Sequence, residues 1–503
     1  VRRWLTLALV LLLAAASPWA AGADDAPLVI GSKKFTESVI LGEIACDLAR
    51  NSGAPARHLK ELGGTRILWD ALLAGSIDLY PEYTGTLRHE ILVGEKLPDD
   101  AALAAALARR GLGMSLSLGF GDTYALGMLP EVAARLKITR ISDLAAHPDI
   151  RFGLSNEFLN RGDGWPGLRD SYGLARRTPV GLDHDIAYRA LGSGAVDVID
   201  LYSTDAEIAA RHLTILTDDR RYFPAYDAVI VYRADAATRH PAALAAILRL
   251  QGAIDTGAMI TMNARVRLDR MSEAAVAAQF VSQRFGIAAV DAEPGLAARV
   301  LQRTGEHLVL TLTSLAAAIV VAIPLGILAA RRPRLGRAIV GATGILQTIP
   351  SLALLVMMIP VLGIGPAPAI AALFLYGVLP ILRNTVAGLQ GIPPSLHQAA
   401  VVLGLTPWRR LRRVELPLAM PSILAGIKTA AVIDIGTATL GALVGAGGYG
   451  QPILTGIRLD DTALILEGAI PAAALALLAE AAFDLLERLV TPRGLRPKLG
   501  RTL

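Results

Sequence analysis

Residues 398–417 read QAAVVLGLTPWRRLRRVELP, a basic stretch set between long apolar runs, and its reading decides what the rest of the chain is. Gln398, Ala399 and Ala400 are followed at fixed distance by Gly404, then by Val414, Leu416 and Pro417. Small Ala side chains let a short helix lie close against a partner, and Gly404 permits a sharp reversal between two helical segments. Arg409, Arg410, Arg412 and Arg413 crowd the same stretch, as basic residues do in connections on the cytoplasmic side of a membrane.

The apolar runs on either side of this stretch form a series. Spans are expected near 307–330, 338–362, 368–389, 418–444 and 463–486, each about the ~20 residues a bilayer requires. The connection after the first carries Arg331, Arg332, Arg334 and Arg337, and the tail at 491–503, with Arg488 just before it, carries Arg493, Arg496, Lys498 and Arg501. These segments and the 398–417 stretch are therefore cytoplasmic, and an odd number of spans leaves the first half of the chain outside. Arg2 and Arg3, an apolar run over 5–16 and the small residues Ala21, Gly22 and Ala23 argue independently for export, as a signal peptide over 1–23. An uncleaved anchor is the alternative.

Composition agrees. A chain of 503 residues, 53% hydrophobic and 18% charged, exceeds one core and is visibly more charged in its first half, which implies a soluble half and a membrane half. The net charge of +5 comes with Arg gathered in the short connections of the apolar half, which argues against nucleic acid as a partner. Cys46 is the single cysteine, so it forms no intrachain disulfide, and no Cys or His sits near it at metal-ligand spacing. A buried small apolar role is expected for it, and neither a metal nor a cofactor is expected anywhere.

Over 24–292, strands and helices alternate. LVIGSKKF reads as strand and loop, ESVILGEIACDLARNSG as a helix ending in Gly, and IRFGLS and VDVIDLYS as strands leading into polar loops. The expectation is an exported α/β domain of two lobes, 27–123 with 227–292 and 124–226, whose cleft can close on a ligand. A linker at 293–306 then leads to a membrane domain at 307–490. Pro324, Pro350, Pro360, Pro380, Pro421 and Pro471 interrupt or border its spans, as is tolerated where helices line a cavity or pack on protein. Asp434, inside the fourth span, is a functional-site candidate by default; its alternatives are a place beside a water-filled path or a polar partner. Gly445, Gly447 and Gly450 spell GxGxxG but follow a span, not a strand opening a βαβ unit, so a tight turn is expected instead of a dinucleotide site. The Gly-x4-Gly-Lys-Ser/Thr phosphate loop does not occur in the sequence, so any ATPase is a separate subunit.

The 398–417 stretch resembles the coupling loop of ABC importer permeases, Glu-Ala-Ala, three residues, Gly, nine residues, Ile-x-Leu-Pro. It departs from that pattern at Gln398 and Val414. GSKKFTESVILGEI, DLYPEYTGT, GFGDTYALGM, NEFLNRGDG, IDLYSTDAEI and YFPAYDAVIVYR resemble the extracellular binding proteins of the osmoprotectant (quaternary amine) uptake family, and IPSLALLVMMIPVLGIG, LFLYGVLPILRNT and GTATLGALVGAGGYG resemble its permeases. The resemblance covers nearly the whole mature chain. It implies an α/β two-lobed periplasmic-binding-protein domain, type II-like, followed by an all-α transmembrane ABC importer permease domain of about five spans. The implied protein is a multi-pass subunit of the bacterial inner membrane with its N-terminal domain in the periplasm.

Carried over position by position, the resemblance makes Tyr83, Tyr124, Tyr202 and Tyr226 the walls of an aromatic cage, with Lys33, Thr86 and Arg161 as its polar end. A quaternary ammonium has no N–H to donate, so aromatic faces hold it at ~0.5–2 kcal/mol per contact. Lys33 and the planar fork of Arg161 would meet the carboxylate of a zwitterion. The implied ligands are glycine betaine, carnitine, choline or a related betaine such as ergothioneine. Gln398, Ala399, Ala400, Gly404, Leu416 and Pro417 would couple to a separate cytoplasmic ABC ATPase. One coupling loop per chain implies a permease homodimer. Two readings from other classes compete: a membrane sensor that reports ligand without transport, and an anchored hydrolase using His184, Asp185 and Ser193. The coupling pattern speaks against the first. The second lacks a Gly-x-Ser-x-Gly elbow.

Overall fold

The computed structural model describes residues 26–174, 177–287 and 294–490. The expected signal peptide at 1–23 and tail at 491–503 lie outside the described residues. Two compact units divide the chain, one dominated by 21–293 and the other by 294–503.

The α/β unit holds two five-stranded sheets. The first has the order β2-β1-β3-β10-β4, with β1 at Leu28–Gly31, β2 at Ala56–Leu59, β3 at Leu79–Tyr83, β4 at Leu112–Met114 and β10 at Ala228–Arg233. The second has the order β7-β6-β8-β5-β9, with β5 at Tyr124–Met128, β6 at Phe152–Ser155, β7 at Val180–Leu182, β8 at Val198–Tyr202 and β9 at Thr214–Leu216. β1 runs parallel to β2 and β3, β6 runs parallel to β7 and β8, and in each sheet one strand runs antiparallel to both its neighbours: β10 between β3 and β4, and β5 between β8 and β9. Central strands covered on both faces read as short, largely apolar runs: VIV of β10 is fully buried, and so is VIDL of β8, where Asp200 accepts hydrogen bonds from Ser155.

Helix α1 (Thr36–Asn51) is buried along almost its whole length because α2 (Thr256–Arg267), α3 (Glu273–Phe285) and Pro241–Leu248 pack around it. Two of its carboxylates, Glu37 and Glu43, are consequently inside the protein and need partners. Glu43 receives His58 and Lys60; burial alone would raise its carboxyl, and these two groups hold it well below the usual range instead. Cys46 lies on the buried face of the same helix.

The helical unit begins earlier than the sequence suggests. The stretch expected as a linker at 293–306 is helical from its fourth residue, as the start of α4 (Leu296–Arg331). Its charged residues are not those of a solvated loop: Arg299 makes a paired contact with Glu467, at 3.0 Å through Nε and 2.6 Å through Nη2, and Glu306 accepts a hydrogen bond from the backbone N–H of Gly448. The second expected span is likewise not one helix. It consists of α5 (Pro333–Thr348) and α6 (Ser351–Leu362), bent by 95° at Ile349 and Pro350, where proline cannot donate and clashes with the preceding turn. Pro324, Pro360, Pro380, Pro421 and Pro471 lie inside helices. α7 (Pro366–Gln390), α8 (Pro394–Val402), α9 (Pro407–Arg410), α10 (Leu416–Thr437) and α11 (Thr462–Val490) follow, with a shorter helix at Gly450–Leu459 between the last two. Among the described residues four helices, or five segments with the bent pair taken as one, are long and apolar enough to cross a membrane. α4, α7 and α10 pack closely on small residues: a Cβ at Gly426 would lie 2.9 Å from the Pro380 carbonyl oxygen.

Candidate ligand cleft and coupling loop

Tyr124 opens β5 and Tyr202 closes β8, and the antiparallel register sets them directly opposite each other. Their ring centroids are 5.1 Å apart. Tyr226, just before β10, meets Tyr124 edge-on at 5.8 Å and 84°. Room for that ring exists only because residue 85 has no side chain, since a Cβ on Gly85 would lie 2.5 Å from Tyr226 Cδ1. Tyr83, at the end of β3, joins the group through Phe35, whose ring is 6.3 Å from Tyr83 and 5.3 Å from Tyr202. The structure therefore brings all four tyrosines into one aromatic group and adds Phe35, which lies within the GSKKFTESVILGEI stretch but was not expected as a cage residue. Tyr83, Tyr124 and Tyr226 are no more than 5% exposed, so the rings pack on one another and do not enclose a void. Offset and edge-on contacts of this kind are favoured by ring quadrupoles as well as by burial.

Beside this group opens a cleft of about 490 Å³ lined from both lobes, by Phe35 and Gly63 to Ile67 on one side and by Asn156, Glu157, Arg161, His184 and Tyr202 on the other. Its size is that of a small-molecule site. Of the seven residues carried over as ligand contacts, Tyr202 and Arg161 line it; Tyr83, Thr86, Tyr124, Tyr226 and Lys33 lie behind.

The polar end differs from the expectation. Lys33 Nζ is paired with Glu82 Oε1 in the interior and sits 5.4 Å from the Tyr83 ring centroid. Arg161 reaches Thr86 Oγ1 at 3.2 Å, as expected of neighbours, but its fork is taken up by Asp163, through Nε at 2.7 Å and Nη2 at 2.5 Å. Asp163 also accepts the Tyr226 hydroxyl at 2.8 Å. Both cations assigned to a ligand carboxylate thus already face carboxylates of the protein. The reason is elementary: an unpaired charge in this interior would be costly to desolvate. Burial works against ionisation of Asp163, and the adjacent Arg161 prevails and holds it below the usual carboxylate range.

His184 and Glu37 are further residues that the pattern of the sequence did not select for this role. The His184 ring is 4.3 Å from Tyr202, and its Nε2 pairs with Asp205 at 3.0 Å. Burial opposes its charge but Asp205 outweighs burial, and its pKa is pushed up to about 10, so a cation of the protein lies in the cleft wall. Ser193 Oγ donates to the Ala190 carbonyl at 3.1 Å, so the hydrolase reading finds its histidine and serine engaged separately. Glu37 accepts hydrogen bonds from Tyr83 at 2.5 Å, Thr204 at 2.5 Å and Asn263 at 3.2 Å. Burial pushes its carboxyl up to about 7 in spite of those donors, with Asp122 beside it raised as well. Thr204, which follows β8, meets both carboxylates, its hydroxyl donating to Glu37 and its backbone N–H to Asp122, and thereby ties the second lobe to α1.

In the helical unit, residues 398–417 fold as two short helices meeting at Gly404. Gln398, Ala399 and Ala400 lie in α8, Gly404 has φ +71°, and the chain then runs through α9 and a wide turn at Leu411–Glu415 into α10, which Leu416 and Pro417 begin. Ala400 and Leu411 are buried and pin the loop, while Val402 at 86%, Leu403 at 77% and Trp408 at 66% exposure point outward. Asp434 is fully buried, with Ser314 Oγ donating to its Oδ2 at 3.3 Å. Gly445, Gly447 and Gly448 all have positive φ, in a tight turn that joins two helices.

Residues 26–283 match the family described as the substrate binding domain of the ABC-type glycine betaine transport system, and residues 322–495 match the binding-protein-dependent transport system inner membrane component. The glycine betaine/carnitine/choline transport system permease protein OpuCB of Bacillus subtilis is 44% identical over 197 residues, which is 39% of this chain and 91% of that protein. The osmoprotectant import permease protein OsmW of Salmonella typhimurium is 41% identical over 198 residues, 38% of this chain and 92% of the relative. A crystal structure described as a glycine betaine/carnitine/choline ABC transporter has 29% identity and a TM-score of 0.43, over 51% of this chain and 98% of its own. A two-sheet binding domain running on into a permease of several apolar helices, each half matched separately, leads to one conclusion: the chain belongs to the glycine betaine ABC-transport family, with that system's substrate-binding domain and its inner-membrane component fused in one multi-pass membrane protein.

Proposed function

We propose that the α/β half, residues 24–292, lies outside the inner membrane and captures a quaternary ammonium compound of the glycine betaine, carnitine and choline class. The helical half, 307–490 with the α4 extension, forms the pathway, and a separate cytoplasmic ATPase bound at the 398–417 loop drives it. The observation that carries this reading is the Tyr124–Tyr202 pair, extended by Phe35 and Tyr226, beside a cleft that Arg161 also lines. Aromatic faces are what a cation without N–H groups can use. The remaining ligand contacts, Lys33, Tyr83 and Thr86, would act on cleft closure, when the packed rings part to admit the ligand. The basic connections around Arg331 and Arg409 support the orientation, and the exposed Val402, Leu403 and Trp408 fit insertion into a groove of the ATPase. A single loop per chain supports a homodimer of permease halves.

The test is calorimetric titration of the full chain in detergent against glycine betaine, carnitine and choline, followed by uptake into vesicles containing the chain and its cognate ATPase. Micromolar binding of at least one member and ATP-dependent uptake of that member are expected. Binding to none of the panel would overturn the reading.

A further inference from the structure

Glu415 stands inside the coupling stretch, at the end of the wide turn at Leu411–Glu415 and one residue before α10. Three basic side chains from three elements converge on it. Arg331, the last residue of α4, reaches Oε2 at 3.1 Å; Arg410 of α9 reaches Oε1 at 2.9 Å; and His397 of α8 lies 3.5 Å from Oε1. The Glu415 side chain is only 11% exposed. Exposed ion pairs contribute little, and Arg331 and His397 are half-exposed, but Glu415 itself is sheltered and uses both oxygens, which makes it the fixed member of the cluster. Turns of this wide, π-type geometry are rare and collect at functional positions. The cluster also borders a cavity of about 500 Å³, lined further by Gln390, Pro394 and Gln398, so the short helices are not packed solidly against the ends of the long ones.

We propose that Glu415 is a positioning residue that ties both helices of the coupling loop to the cytoplasmic end of the first membrane helix, so that displacement of the loop is delivered to α4 as well as to α10. The idea rests on the importer reading above. Through the backbone the loop pulls on α7 and α10, the helices at its two ends; the Glu415 cluster adds a direct link to the cytoplasmic end of α4. With a cavity on one side, the ionic hub supplies the rigidity that packing does not.

The test uses the full chain reconstituted in vesicles with its cognate ATPase. Glu415→Gln keeps the size and an acceptor but removes the charge. It is expected to lower betaine uptake turnover about tenfold, to change the KM for betaine less than about twofold, and to raise the ATP hydrolysed per betaine moved. Loss of folded protein alone would leave that ratio unchanged. Glu415→Asp restores the charge and should recover turnover to within about threefold of wild type. Arg331→Gln, at a half-exposed and tolerant position, should act in the same direction, and combining it with Glu415→Gln should cost no more than the worse single change. Wild-type turnover and ATP ratio in Glu415→Gln, or in Arg331→Gln should the first variant not fold, would overturn the proposal, as would strictly additive losses. Absence of uptake by the wild-type chain would instead overturn the importer reading itself.

Discussion

Tyr124 and Tyr202 are cross-strand partners in register on the antiparallel pair β5–β8, 5.1 Å between ring centroids, and Tyr202 is the one whose ring also faces the cleft. Replacing Tyr202 by Ala should therefore weaken betaine binding at least about tenfold, since ~1.4 kcal/mol, within the range of one cation–π contact, is one decade of affinity. Tyr202→Phe should cost less. Titration of the folded variants decides, and unchanged affinity in Tyr202→Ala would move the site.

Asp163 holds the Arg161 fork and the Tyr226 hydroxyl together. Asp163→Asn should release part of the guanidinium for a ligand carboxylate. The affinity ratio of glycine betaine to choline should then rise about threefold or more, because only the zwitterion gains a partner. A ratio that stays put or falls in parallel titrations with the two ligands would show that Arg161 does not face the ligand.

Glu37 gives the α/β half a pH dependence with a definite sign. Its folded pKa is raised to about 7 from an ordinary 4.5, so the folded form binds the proton more tightly than the unfolded one. Stability is highest below about pH 4.5 as far as this group is concerned and declines as pH rises through 7, with Asp122 acting in the same direction. Amide exchange in Thr36–Asn51, corrected for intrinsic rate, should show protection falling from about pH 5 to about pH 7.5 in the wild type and falling less in Glu37→Gln. An equal decline in both would contradict the assignment.

Gly404 has φ +71°, and a Cβ at this position would have nothing within 4 Å, so that side of the turn is open, as the proposed contact with an ATPase requires. Gly404→Asp should place a charge in that contact and abolish betaine-stimulated ATP hydrolysis and uptake, while betaine binding stays at the wild-type value. Uptake at the normal rate would remove the loop from the coupling role.

Much of this was legible in the sequence, and the parts that were not share a cause. The strand at VIDLY and the helix from Thr36 announce themselves locally, through apolar runs and a breaker at each end, and Tyr124 and Tyr202 stand at strand ends where ligand residues collect. The pairing of Lys33 with Glu82 joins residues 49 apart, and that of Thr204 with Glu37 joins residues 167 apart, so no local pattern carries them. Phe35 was in plain view, two residues after Lys33, and an aromatic next to a cage lysine was the available signal. Pro350 was visible too, but hydropathy cannot convert a proline into a 95° bend. The Ala, Asp, Glu, Pro and Gly leading up to Glu306 read as a linker, since the partners that hold Arg299 and Glu306 in a helix, Glu467 and the Gly448 amide, are 168 and 142 residues away.

Only ten residues separate the last helix of the α/β half, ending at Phe285, from the first of the helical half, starting at Leu296. Ten residues reach at most roughly 35 Å whatever path they take, so neither half can leave the neighbourhood of the other. Encounter between the two halves is then independent of how much protein the cell makes. A freely diffusing receptor must be produced in excess and must find its channel; this one arrives in fixed ratio.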